Sequence, residues 1–198
     1  MKSFILPLLG AIAGAHAAKN CSVGNVTELL PADSKVFYAK SYPAHYNLTP
    51  ALSVNYGLTS DPMGISAYEL PVAACIAQAN ITLPNNTQHS VGFILPDEWN
   101  GGFLANGNGE FAGSITWDSI ISVSWYGFAV VSSDLGHEGN NGSFGYHNEQ
   151  ALQNWGHVAL HDAVVKRQGC HGRLLRAQHI LLVLSGLFCW RQAGSQGT

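Results

Sequence analysis

From Leu70 to Pro96 the apolar positions gather in two short blocks, "VAACIAQANITL" and "HSVGFILP", separated by "PNNTQ". Two strands joined by a turn are expected, because Pro and Asn favour turn backbone and each flanking run is short and apolar. "GGFLANGNG" then predicts a short strand running into a glycine-rich loop. In "SITWDSIISVSWYG" the apolar residues recur at helical spacing, and a Gly stands where a helix would stop. "GFAVVSSD" is a continuous apolar run bounded by Gly and Asp, the pattern of a buried parallel strand. After the polar "LGHEGNNGSFGYHNEQ", the stretch "ALQNWGHVALHDAVV" places Leu152, Trp155, Val158, Ala159 and Val165 as the apolar face of a helix. A hairpin followed by strand, helix, strand, helix predicts the opening of an α/β domain with a partly parallel sheet.

The pattern loses its order after Val165, where another strand is due. "KRQGCHGRLLRAQ" is basic and without a period, and an apolar run of about a dozen residues follows. That run is too short to cross a bilayer. It is followed by polar "RQAGSQGT", whereas a GPI signal ends on its apolar tail. As a buried strand it would leave a parallel sheet short of neighbours.

Composition narrows the class. The chain has 198 residues, enough for one domain with a sizeable core and too few for two ordinary ones. A net charge of −3 with 11% charged residues supplies no basic field for nucleic acid, and no membrane partner is expected. Residues 1–17 carry one Lys, an apolar stretch and Ala15-His16-Ala17, the features of a cleaved secretory leader. Sequons at Asn25, Asn47, Asn80, Asn85 and Asn141 agree with a secreted, extracellular glycoprotein. In that compartment Cys21 and Cys75 are candidates for a disulfide, although four cysteines allow three connectivities and the sequence does not choose.

Three features could carry chemistry. The glycines of "ANGNGEFAG" can bring backbone N–H groups against an oxyanion or phosphate, but the loop matches neither nucleotide-binding glycine motif. Asp134 and His137 stand at the end of a predicted parallel strand, where α/β folds gather function, but three-residue spacing in a Gly-rich loop is more often turn chemistry than an acid/base pair. His157 and His161 have the i, i+4 spacing of a metal pair, yet Val158, Ala159 and Leu160 between them include no glutamate base. No metal is expected. No G-x-S-x-G occurs, so no serine occupies that nucleophile motif.

"LPDEWNGGFLANGNGEFAGSI", "YGFAVVSSDLGHEG" and "WGHVALHDAVV" together resemble the tannase and feruloyl esterase family of fungal secreted ester hydrolases. The resemblance covers about Leu95 to Val165 and departs at Glu110, where the family usually has Gly. It implies an α/β-hydrolase fold, here its N-terminal part, with an inserted lid that often holds calcium. It also implies a Ser-Asp-His triad whose Ser sits in a G-C-S-x-G-G elbow, acting on phenolic-acid esters. Only Gly107, Asn108 and Gly109 carry over, as the upstream half of an oxyanion hole; Asp134 and His137 match as architecture. No catalytic residue and no cofactor are expected within this chain.

The missing elbow is legible one nucleotide over. Trp190 has the single codon TGG, so a one-base shift into Arg191 must give Gly, and Gln192 followed by Ala193 must give Lys or Arg. Residues 186–198 can be written in codons that read G-C-S-A-G-G-K-Q-G-L-K-E in the shifted frame. The expectation is therefore a leader at 1–17, the N-terminal part of a hydrolase domain at 18–165, and an out-of-frame tail at 166–198 that leaves this chain inactive. The rival from another class is a small secreted module binding plant-wall carbohydrate. A metal-dependent hydrolase built on His157 and His161 is a third possibility.

Overall fold

The computed structural model describes residues 21–48, 69–83, 85–170 and 179–184. Helix α1 (Val23–Thr27) is capped by Ser22, and strand β1 (Ser34–Tyr42) follows. Strands β2 (Tyr46–Asn47) and β3 (Glu69–Leu70) pair antiparallel in a small ribbon. The expected hairpin is β4 (Ala74–Thr82) and β5 (Gln88–Pro96), in register from Ala74 opposite Pro96 to Thr82 opposite Gln88. Then come β6 (Gly102–Gly107), α2 (Trp117–Ser124) and β7 (Ala129–Ser133). The last helical run divides into α3 (Glu149–Gln153), a π turn (Asn154–Val158) and α4 (Ala159–Cys170), before β8 (His179–Leu184).

Six strands form one sheet in the order β1-β4-β5-β7-β6-β8. Contacts from β1 to β7 are antiparallel, whereas β7, β6 and β8 run parallel. Strict alternation sends successive side chains to opposite faces. Cys75, Ala77, Ala79, Val91, Phe93, Phe103 and Val131 pack with Ala163 of α4 on one face. Ile76, Ile94, Leu104 and Val130 pack with Trp117, Ile120 and Ile121 of α2 on the other. The sheet is covered on both sides, which is why its central strands are apolar almost throughout. At Gly92 the α2 side approaches so closely that a β-carbon would lie 2.8 Å from Ile115 and Trp117.

Cys21 and Cys75 form the disulfide proposed from their positions, with Cα atoms 5.6 Å apart. It ties the start of α1 to β4 across 54 residues, a loop for which the chain-entropy estimate is roughly 4 kcal/mol.

Two sequence expectations need correction at the far end. The helix does not stop at Val165 but continues to Cys170. The apolar run is not left without neighbours: His179–Leu184 is the parallel strand due after the helix, paired with β6 along six residues. The leader at 1–17 and the stretch 186–198 lie outside the described residues.

Candidate active-site loop

The glycine-rich stretch leaves β6 at Gly107 and is fixed at both ends. At its base, buried Asn106 donates its side-chain amide to Thr116 Oγ1 at 2.7 Å and to the Gly107 carbonyl at 3.2 Å. Thr116, just before α2, donates its backbone N–H to Ser132 Oγ at 3.1 Å, which joins the loop base to β7. At the far end the Gly113 N–H donates to the Gly139 carbonyl at 2.8 Å. Across the middle, Asn108 Nδ2 donates to the carbonyls of Ala112 and Ser114, each at 2.9 Å. A closed hydrogen-bonded loop of this kind holds its backbone dipoles in place before any ligand arrives.

Within the loop the Ala112 N–H donates to the Gly109 carbonyl at 3.1 Å, closing a turn whose second residue is Glu110. Glu110 has φ 51°, in the left-handed region that glycine occupies freely and other residues occupy at a cost. A Gly here, as the resemblance implies, would carry no such cost. Among the described residues the N–H groups of Gly109, Glu110 and Phe111 donate to no protein acceptor. Neighbouring amides left open in a rigid turn can bind an anion or a developing oxyanion. Of the three residues expected here, Gly107 is the last residue of β6, paired with Leu184, and the Asn108 side chain bridges the loop.

Asp134 and His137 serve separate contacts. The Asp134 carboxylate accepts from the N–H groups of Ser90 at 2.9 Å and Gly136 at 2.8 Å, fixing the turn after β7. Burial raises its pKa above the usual aspartate value, against the opposing pull of those N–H groups and of His137. His137 turns the other way. Its Nε2 lies 3.0 Å from the Phe111 carbonyl, and its ring stacks on Phe144 at 3.7 Å between centroids. A carbonyl cannot donate, so the Nε2 carries the hydrogen; Nδ1 is buried without a partner.

One constellation was not legible in the sequence. His89 Nδ1 is hydrogen-bonded with Ser133 Oγ at 2.8 Å, and His89 Nε2 lies 3.6 Å from Asp162 Oδ2. The residue types are those of a triad, but all three are buried beneath the sheet end, and Ser133 Oγ also accepts from the Leu135 N–H at 2.9 Å. No ester can reach that oxygen. The constellation ties β5, the turn after β7 and α4 together.

The remaining candidates are scattered. His157 and His161 are both exposed, and among the described residues no three His, Cys, Asp or Glu side chains cluster as a metal site. Of the sequon residues, Asn47 and Asn141 are exposed, whereas Asn25 and Asn80 are half-buried. Asn85 is half-buried too, and its Nδ2 donates to Asn154 Oδ1 at 3.0 Å. Among the described residues no helix is long and apolar enough to cross a membrane.

Comparison with known proteins converges on one family. Residues 75–169 match the family described as Tannase and feruloyl esterase. A probable feruloyl esterase B-1 of Aspergillus oryzae is 31% identical over 139 residues, covering 64% of this chain and 26% of the relative. A probable feruloyl esterase B-2 of the same species is 28% identical over 167 residues, covering 81% and 30%. Among solved structures, feruloyl esterase B from Aspergillus oryzae superposes with a TM-score of 0.66 at 24% identity, covering 83% of this chain and 31% of that one. An esterase from the same species gives 0.68 at 22% identity, with the same coverage. The fold is accordingly a partial α/β fold of the kind found in those esterases, and the chain spans less than a third of the length of these relatives. Residues 75–169 are thus similar to the tannase and feruloyl esterase family, and the relatives over the same segment are feruloyl esterases.

Proposed function

We propose that this chain supplies the oxyanion side of a secreted serine ester hydrolase acting on phenolic-acid esters, and that as written it lacks the nucleophile. The observation that carries the reading is the set of open amides at Gly109 to Phe111, held in a hydrogen-bonded loop at the end of β6. Gly107 of β6 pairs with Leu184 of β8, so the two parallel strands end together, at the point where the glycine-rich loop leaves β6. An α/β-hydrolase nucleophile sits on the sharp turn after such a strand. The codon-permitted G-C-S-A-G-G begins at position 186, two residues beyond that strand end. A serine there would attack the ester carbonyl with a histidine as base, while the open amides at Gly109 to Phe111 receive the charge on the carbonyl oxygen. This acyl transfer requires no cofactor. Secretion is part of the proposal, supported by the leader-like residues 1–17 and by a disulfide suited to an oxidising compartment.

The coding DNA from Val165 onward is the test. Codons for G-C-S-x-G-G one base over support the reading, and their absence sinks it. A methyl ferulate assay on the purified 198-residue chain is expected to show no serine-inhibitor-sensitive turnover. Such turnover would overturn the claim of inactivity.

A further inference from the structure

We propose that His137 and Trp155 are paired positioning residues for the oxyanion loop, gripping successive carbonyls so that the Phe111 amide faces outward while the Ala112 amide stays on its turn bond. The inference rests on the esterase reading of that loop. Trp155 donates its indole N–H to the Glu110 carbonyl at 3.2 Å, and His137 donates from Nε2 to the next carbonyl, Phe111, at 3.0 Å. In a trans peptide the C=O and N–H point in opposite directions, and no cis bond is present among the described residues. Holding the Glu110 carbonyl therefore aims the Phe111 N–H away from Trp155. Holding the Phe111 carbonyl keeps the following N–H, of Ala112, on its turn bond to Gly109. The grip fixes the orientation of the peptide units themselves, which packing alone would not do.

Both donors are in turn held in place. The Phe111 and Trp155 rings lie 5.2 Å apart, and Phe144, stacked on His137, lies 6.1 Å from Trp155. Trp155 sits in the π turn, one residue after Asn154, whose Nδ2 donates to Thr87 Oγ1 at 2.8 Å. Adjacent helical residues point about 100° apart. One turn therefore anchors two loops, with Asn154 on the β4–β5 hairpin and Trp155 on the glycine-rich loop. Extra-residue turns of this type recur at functional sites. Gly113 completes the grip, because a β-carbon there would overlap the His137 ring.

The test uses the protein translated in the shifted frame, which carries the G-C-S-A-G-G elbow, with His137→Phe, Trp155→Phe and His137→Gln. The Phe variants keep an aromatic ring and remove the donor, while Gln restores a side-chain N–H. Methyl ferulate hydrolysis is expected to lose about 10- to 100-fold in kcat in each Phe variant, with KM within about threefold, because misdirected amides act on the transition state. His137→Gln should recover most of that loss. A Gln variant as impaired as the Phe variant, or a loss confined to KM, overturns the proposal. If the shifted-frame parent protein shows no hydrolysis, the esterase reading fails and hydrogen exchange decides the grip by itself. Exchange in the 107–116 peptide about tenfold faster in both Phe variants, with Tm little changed, upholds it; unchanged exchange overturns it.

Discussion

Gly113 and His137 come from loops at the ends of different strands and leave no room between them for a single added carbon. The Gly113 N–H is bonded to the Gly139 carbonyl in the same place, so the backbone cannot move aside without breaking that bridge. Gly113→Ala is expected to destabilise by about 2 kcal/mol, since overpacking a fixed contact costs this order. The Tm should fall by roughly 4–8 °C. An unchanged Tm in calorimetry would show that the His137 ring yields without strain.

Glu110 has the opposite fault. Its side chain is exposed and its backbone is held at φ 51°, so the residue bears conformational strain. Glu110→Gly should stabilise the fold by about 1 kcal/mol, the scale of the left-handed penalty for a residue with a β-carbon. A small rise in Tm is the expected reading. A fall would mean that the carboxylate makes a compensating contact.

The raised pKa of Asp134 has a definite sign in stability. Burial makes the folded state bind the proton more tightly than the unfolded chain does, so stability declines as pH rises from the unfolded value, near 3.8, through the higher folded value. Asn at this position keeps an oxygen to accept from Ser90 and Gly136 but cannot ionise. The Tm of Asp134→Asn relative to wild type should therefore climb across that interval and level off above it. A constant Tm difference from pH 3 to 7 would contradict the assignment of burial as the dominant cause.

Glycan occupancy should follow the hydrogen bonding of each asparagine amide. Asn141 is exposed, and only its Oδ1 is engaged, by the N–H and hydroxyl of Ser143. The Asn85 Nδ2, where a glycan would attach, is bonded instead to buried Asn154. Enzymatic deglycosylation in water enriched in heavy oxygen, followed by peptide mass spectrometry, is expected to label Asn141 and leave Asn85 unlabelled. A glycan on Asn85 of the folded secreted protein would refute that ordering.

The central sheet was legible because β4 to β7 are buried on one or both faces, and their apolar runs stand out between Gly, Pro and Asn. Strand β1 gave no such signal. Its residues are mostly partly exposed, and the irregularity between Val36 and Tyr38 breaks the alternation on which a sequence reading depends. The final strand was visible as an apolar run but dismissed, because its neighbour β6 lies more than 70 residues earlier and only the crossover brings them together. At the site, the glycines and the Asp134–His137 motif could be read as turn chemistry. The grip on the loop could not, since Trp155 is 45 residues from Glu110 and His137 is 26 from Phe111. The Ser133–His89 contact spans 44 residues and was hidden for the same reason.

The π turn makes the helix a gauge of chain length as well as a support. Deleting Gly156 would restore an uninterrupted α-helix and rotate everything upstream by about 100° relative to Ala159 and Asp162. The sheet-packed half would stay where it is, and neither Asn154 nor Trp155 could still reach its loop. A relative one residue shorter at this point would need a different pair of side chains to hold its hairpin and its glycine-rich loop. Alignments across the family that place a gap here would mark a change of mechanism in loop support, even where every glycine of the loop is retained.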